Sequence, residues 1–168
     1  MARKCFYSFH YVPDNWRVSK IRNIGAVEGN KPASDNDWET VTGGGDKNKK
    51  IKDWIAGQMK GRTCTVILVG SNTANRKWIK HEIKESWNEG MGVLAIHIHN
   101  ITDSNDKQSS KGSNPLYYVT HGPTKKRLST IAKTYDPPRT TSKGVYGYIA
   151  DNIEDWIDEA IRIRKANN

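Results

Sequence analysis

Residues 63–70 read TCTVILVG, and within that run Thr65 to Val69 shows no alternation of polar and apolar side chains. A β-branched stretch without a two-residue period is buried on both faces, which is the habit of parallel strands covered by helices. Helices are therefore expected on either side of it. Before it, DKNKKIKDWIAGQMKG (46–61) sets Ile51, Trp54, Ile55 and Met59 at helical spacing, with Gly61 as a stop. After it, RKWIKHEIKESW (76–87) supplies a second helix, Gly90 and Gly92 end that helix, and GVLAIHIH (92–99) reads as another buried strand.

The pattern extends to both ends of the chain. KCFYSFHY (4–11) reads as the first strand, and Ile149, Ile153, Trp156, Ile157, Ala160 and Ile161 form the stripe of a C-terminal helix over roughly 147–165. Acidic residues precede basic ones along that helix, as its dipole prefers. The order predicts an α/β three-layer sandwich of flavodoxin-like type, with a central, mainly parallel sheet flanked by helices. Two stretches are irregular. Residues 25–46 leave room for a short strand around Trp38 to Val41. Residues 100–144 contain a solvated loop, DSNDKQSSKGSNP, and a hairpin turning at Gly122 and Pro123.

A chain of 168 residues is enough for one domain, 1–168, with a real core. No apolar run approaches the roughly 20 residues that span a bilayer. The start, MARKCFYSFHY, lacks the apolar core of a secretory signal, so the expectation is a cytoplasmic protein with no membrane partner. Cys5 and Cys64 both lie in buried strands and read as reduced, packed thiols. A formal net charge of +9 attracts anions of any kind. Its basic residues are spread over loops and helix faces rather than gathered at a recognised motif, which makes nucleic acid the last-ranked partner.

In doubly wound sheets, ligands bind beyond the carboxyl ends of the strands. FHYVPDNW (9–16) and GSNTANRKW (70–78) lie there, with Gly70, Ser71 and Asn72 able to offer backbone N–H groups to an anion and Ser71 to Asn75 able to cap the next helix. Within that helix Glu82 stands out. At about 100° per residue it falls inside the apolar arc drawn by Trp78, Ile79, Ile83 and Trp87, one turn from Trp78. Either it bonds a buried backbone group or an Arg, or it faces a cleft and stabilises a cation.

These segments resemble the TIR domains. KCFYSFHY is similar to their aromatic first strand, and LVGSNTANRKWIKHEI to the strand, Ser-containing turn and helix that carries Trp-x-x-x-Glu, here Trp78 and Glu82. The nearer resemblance is to the TIR-like subfamily typified by the signalling subunit of the Thoeris anti-phage system. Trp38-Glu39 after an extended loop and the strand ending IHIHNI add to it, over roughly residues 1–120.

What the resemblance implies is NAD as substrate, with no separate cofactor and no metal. The nicotinamide–ribose bond would be cleaved, in a reaction of NAD glycohydrolase or ADP-ribosyl cyclase type. The product would be a cyclic ADP-ribose isomer acting as an immune second messenger on a separate effector. A homo-oligomer would fit the family's use of assembly. Glu82 is the matching catalytic residue; Phe6, Ser8, His10, Trp38, Ser71 and Trp78 are the candidates for holding substrate, with Phe9 and Tyr11 as further aromatic candidates. Each has an ordinary alternative. Phe6 and Phe9 have opposite strand parity, so at least one faces core. Ser8 and His10 should share a strand face. Arg17 and Arg22 either meet the diphosphate or lie on a solvated helix face, and His97 and His99 read as strand polarity rather than metal ligands. A non-catalytic TIR-like scaffold is the competing reading of the whole chain.

Overall fold

The computed structural model describes residues 3–26 and 46–167. Trp38, Glu39 and the expected short strand at 38–41 lie outside the described residues. Strands β1 (Cys5–Ser8), β2 (Cys64–Val69) and β3 (Gly92–His97) are buried at every position, as the absence of alternation in TVILV requires. They are parallel neighbours. Three further strands, each of two residues, follow: β4 (Thr120–His121), β5 (Lys126–Arg127) and β6 (Thr134–Tyr135). Of these, β6 pairs in parallel with β3, so the described sheet runs β1-β2-β3-β6.

Successive strand residues point to opposite faces, and the two faces bury two separate clusters. On one side Cys5, Tyr7, Phe9, Leu68 and Ile96 pack under helices α1 (Tyr11–Arg22) and α4 (Ser142–Ala166). On the other, Phe6, Ile67, Val69 and Ala95 pack under α2 (Lys47–Met59) and α3 (Lys77–Asn88). Leu116 and Leu128, from two short 3-10 turns in the β3–β6 connection, complete that second layer. The expected three-layer α/β sandwich is thus present. Cys5 and Cys64 are register partners and both are free and buried, burial pushing the Cys64 thiol well up.

Several local expectations need correction. Residues 73–75 form a 3-10 turn rather than the start of α3, whose N-cap is Arg76 and has no side-chain cap. The Gly70 N–H, expected to be open to an anion, donates to Thr73 Oγ1 at 2.8 Å. Gly90, at φ +80°, does end α3. Gly92 serves packing instead. A Cβ there would stand 2.7–2.9 Å from the backbone of Ala160 and Ile161, so its absence lets α4 lie directly on β3. Helix α4 begins five residues earlier than its apolar stripe suggests, because the Thr141 side chain accepts the Gly144 N–H. The β4–β5 hairpin turns where expected, with Gly122 and Lys125 at positive φ. Thr134–Tyr135 belongs not to that hairpin but to the main sheet.

Arg17 departs furthest from its sequence reading. It neither lies on a solvated helix face nor remains free for a diphosphate, being only 3% exposed. Its Nε donates to the Ile101 carbonyl at 2.6 Å, Nη2 to the Lys107 carbonyl at 2.9 Å, and Nη1 to Asp14 Oδ1 at 3.1 Å. The guanidinium fork satisfies loop carbonyls that have no strand or helix to pair with.

Candidate functional site

Glu82 is placed by a relay of hydroxyls. Thr65 on β2 and Ser86 on α3 share a hydrogen bond of 2.6 Å, and the Ser86 hydroxyl also donates to the Glu82 carbonyl at 2.6 Å. From Ser86, one helical turn of about 5.4 Å back along α3 reaches Glu82. From Thr65, two residues or about 6.6 Å along β2 in the same direction reach Ile67, whose register partner on β1 is Ser8. Glu82 therefore lies at the height of Ser8 and on the same side of the sheet. It has 0% exposed surface, among Ile79, Ile83 and Trp87.

Ser8 is fully buried, and its Oγ makes no hydrogen bond among the described residues. Phe6, two residues earlier on the same face, packs with Ile51 and Ile55 and so forms the floor beneath Ser8. Strand β1 ends at Ser8, and His10 is the N-cap residue of α1 with extended backbone, half-buried, rather than a strand neighbour of Ser8. Phe9 belongs to the core under α1 and α4, and Tyr11 tilts against it at 6.4 Å. Ser71 is half-buried in the turn after β2, and Gly112 presses on its carbonyl and that of Gly70. Trp78 is half-buried against the α2–α3 cluster, edge-on to His81 at 5.5 Å, with Lys77 Nζ 4.8 Å over its ring. The structure thus gathers Ser8, His10 and Ser71 at the carboxyl ends of β1 and β2, with Glu82 and Trp78 flanking them on α3. Phe6 sits below.

Two features at this edge of the sheet go beyond what the sequence pattern indicates. Asp14, 1% exposed, lies against Gly70 so closely that a Cβ there would be 2.1 Å from its Oδ2. Burial raises its pKa to about 6, outweighing the opposing pull of Arg17. An Asp three residues before an Arg announces an ion pair, but nothing in the spacing announces its burial. The second feature is the pair His97 and His99, the polar strand end expected from the sequence, whose side chains are more than nine-tenths buried. Burial lowers the pKa of His97 to about 4 and that of His99 in the same direction. Among the described residues, no three His, Cys, Asp or Glu side chains gather as a metal ion would require, and no helix is long and apolar enough to cross a membrane.

A parallel sheet between two helical layers, with a buried carboxylate on the helix that follows β2, defines a TIR-like α/β domain. Residues 6–103 match the family described as "Thoeris protein ThsB, TIR-like domain", and the chain belongs to that family. A protein of Bacillus cereus (strain MSX-D12) named "Putative cyclic ADP-D-ribose synthase ThsB1" is 33% identical over 124 residues. The match covers 71% of this chain and 64% of that relative, so the chain spans somewhat less than two thirds of the relative's length.

Proposed function

We propose that this protein cleaves NAD at the nicotinamide–ribose bond and closes the remaining ADP-ribose into a cyclic isomer. In this reaction the C1′–N bond breaks and its electron pair leaves with nicotinamide, which departs neutral. The Glu82 carboxylate stabilises the ribosyl cation. A ring nitrogen or hydroxyl of the same molecule then attacks that carbon, with loss of one proton. NAD is the substrate, so no resident cofactor is invoked. Ser8, His10, Ser71 and Trp78 hold the substrate in this reading. The product carries the signal to a separate effector in anti-phage defence, within the cytoplasm where NAD is held.

The observation that carries the proposal is a carboxylate with 0% exposure on α3, level with Ser8, in a family whose relative bears a cyclic ADP-ribose synthase name. A carboxylate held out of bulk water is little screened and acts strongly on a developing cation. The same burial means that substrate reaches Glu82 only after its cover shifts. In this reading activity waits for a change that uncovers Glu82.

The test is lysate from infected and uninfected cells incubated with NAD and followed by mass spectrometry. Wild type is expected to release nicotinamide and a cyclic product. Glu82→Gln, with an unchanged circular dichroism spectrum, is expected to lose at least about 100-fold. Equal turnover by the folded variant would overturn the proposal. A second reading, a non-catalytic scaffold, is favoured by Val12 and Trp16, 69% and 51% exposed one turn apart on α1. It predicts self-association without nicotinamide release under either condition.

A further inference from the structure

At the carboxyl end of β3 and β6, on the face of the sheet that carries α3, lies a group of polar side chains that the catalytic reading does not use. The His97 and His99 rings meet edge to face at 5.8 Å. Asp136, two residues beyond Thr134, acts electrostatically on both imidazoles and holds Lys111 at 2.8 Å. The Ser109 N–H donates to the His99 carbonyl at 2.8 Å, which brings the loop 100–114 across the group.

Four buried atoms here make no hydrogen bond among the described residues: His97 Nδ1, His99 Nδ1, Ser109 Oγ and Thr134 Oγ1. A buried polar atom left unpaired is destabilising, and four on neighbouring segments call for an occupant. The charges of Lys111 and Asp136 offset one another, Arg17 on the His99 side is paired with Asp14 and Asp103, and burial disfavours a charge on either imidazole. A phosphate finds no net positive charge in such a place. An uncharged heterocycle with both donors and acceptors finds complements: imidazole nitrogens and hydroxyls for ring nitrogens, and a carboxylate for an exocyclic amine.

Position narrows the choice. Ala95 is level with Ile67 and hence with Glu82, and His97 is level with Val69, about 7 Å further along the same face. A dinucleotide with its reacting ribose at Glu82 has its other base within reach of this group. We propose that His97, His99, Ser109, Thr134 and Asp136 seat the adenine base of the substrate, with Asp136 accepting from the exocyclic amine. The assignment rests on the dinucleotide reading of the site, and it makes this end of the sheet select adenine over hypoxanthine, which presents a carbonyl to the carboxylate.

Titration of the full chain with adenosine 5′-monophosphate, observed through 15N-labelled histidine resonances, tests this without catalysis. Saturable shifts of His97 and His99 are expected, with inosine 5′-monophosphate and nicotinamide mononucleotide binding at least about tenfold more weakly. His99→Gln and Asp136→Asn, checked for fold by circular dichroism, should each weaken adenosine monophosphate about tenfold, while Glu82→Gln should not. No histidine shift, equal binding of the adenine and hypoxanthine nucleotides, or unchanged affinity in both folded variants would each overturn the proposal and leave the group to water. If adenosine monophosphate binds as expected while Glu82→Gln turns NAD over like wild type, the catalytic reading fails and the base site stands.

Discussion

Helix α3 and the β3–β6 connection, residues 98–133, cover the same face of the sheet by opposite means. Helix α3 satisfies its own backbone and offers an apolar stripe, Ile79, Ile83 and Trp87, to the strands. The connection has only two short 3-10 turns and a hairpin of two-residue strands, contributing Leu116, Val119 and Leu128 to the same cluster. Several of its carbonyls are satisfied by side chains rather than by a regular backbone ladder. Arg17 reaches Ile101 and Lys107, Lys20 reaches Thr102 at 2.9 Å, and Gln108 spans from Asn100 to Thr140 at 2.9 and 2.7 Å. A helical cover is a property of its own segment. An irregular one is held by distant donors, and it fails when those fail.

The largest expected effect tests that dependence. Arg17→Ala removes two carbonyl clamps and leaves Asp14 buried beside Gly70 without its cationic partner. A loss of about 3–5 kcal/mol is expected in urea denaturation. Lysine will not rescue it, since an ammonium lacks the fork that serves Ile101, Lys107 and Asp14 together. Amide exchange should rise first in residues 100–114 and least in α3. Equal acceleration of both would break the contrast.

The next effect is electrostatic and has two opposite signs at one edge of the sheet. Asp14 is raised from 3.8 to about 6, so the folded protein keeps a proton that the unfolded chain gives up. That contribution is complete below pH 3.8 and is lost as pH rises through 6. His97 is lowered from 6.5 to about 4, so its contribution is complete above 6.5 and is lost as pH falls through 4. In wild type the two slopes oppose each other. Asp14→Asn should therefore gain stability relative to wild type as pH goes from about 4.5 to about 6.5, and His97→Gln should lose it. Urea midpoints at those two pH values decide the matter, and shifts of the same sign in both variants would refute the assignment.

A smaller effect probes where the connection meets β2. A methyl group at Gly112 would stand 2.1 Å from the Gly70 carbonyl and 3.0 Å from that of Ser71, both backbone atoms with little room to yield. Gly112→Ala should cost about 1–3 kcal/mol. The displaced loop should also loosen Ser109, so that variant should bind adenosine monophosphate more weakly than wild type. A thermal midpoint within a degree of wild type would show that the loop merely rests on Ser71.

The same contrast governs what the sequence made legible. TVILV named a parallel core strand because burial on both faces erases alternation, and Glu82 stood out because α3 has a strict period to violate. Thr134–Tyr135 could not be recognised as a fourth parallel strand, since two residues carry no period. Arg17 misleads because its carbonyl partner at Ile101 lies 84 residues away, and helical spacing alone gives an arginine no reason to turn inward. His97 and His99 showed their polarity in the sequence but not their burial, because segments that meet them, at Ser109 and Asp136, come later in the chain. Gly70 illustrates the limit from the other side. Its turn was evident, yet its N–H is taken by Thr73 three residues on.

The smallest expected effect falls on the regular side. Thr65→Val keeps the shape of the side chain and deletes one end of the Thr65–Ser86 bond. Ser86 retains its donation to the Glu82 carbonyl, so no buried donor is orphaned and the cost should be about 1 kcal/mol. Stability is the lesser readout. Because the Thr65–Ser86 bond pins the height of α3 against β2, its loss lets the helix settle along its apolar stripe and carries Glu82 away from the level of Ser8. On the proposed function, NAD turnover in Thr65→Val should then fall severalfold more than its stability loss accounts for, while Thr65→Ser, which restores the hydroxyl, should recover it. If turnover follows stability in both variants, packing of Ile79 and Ile83 alone sets the position of the carboxylate, and the hydroxyl relay contributes only its bond energy.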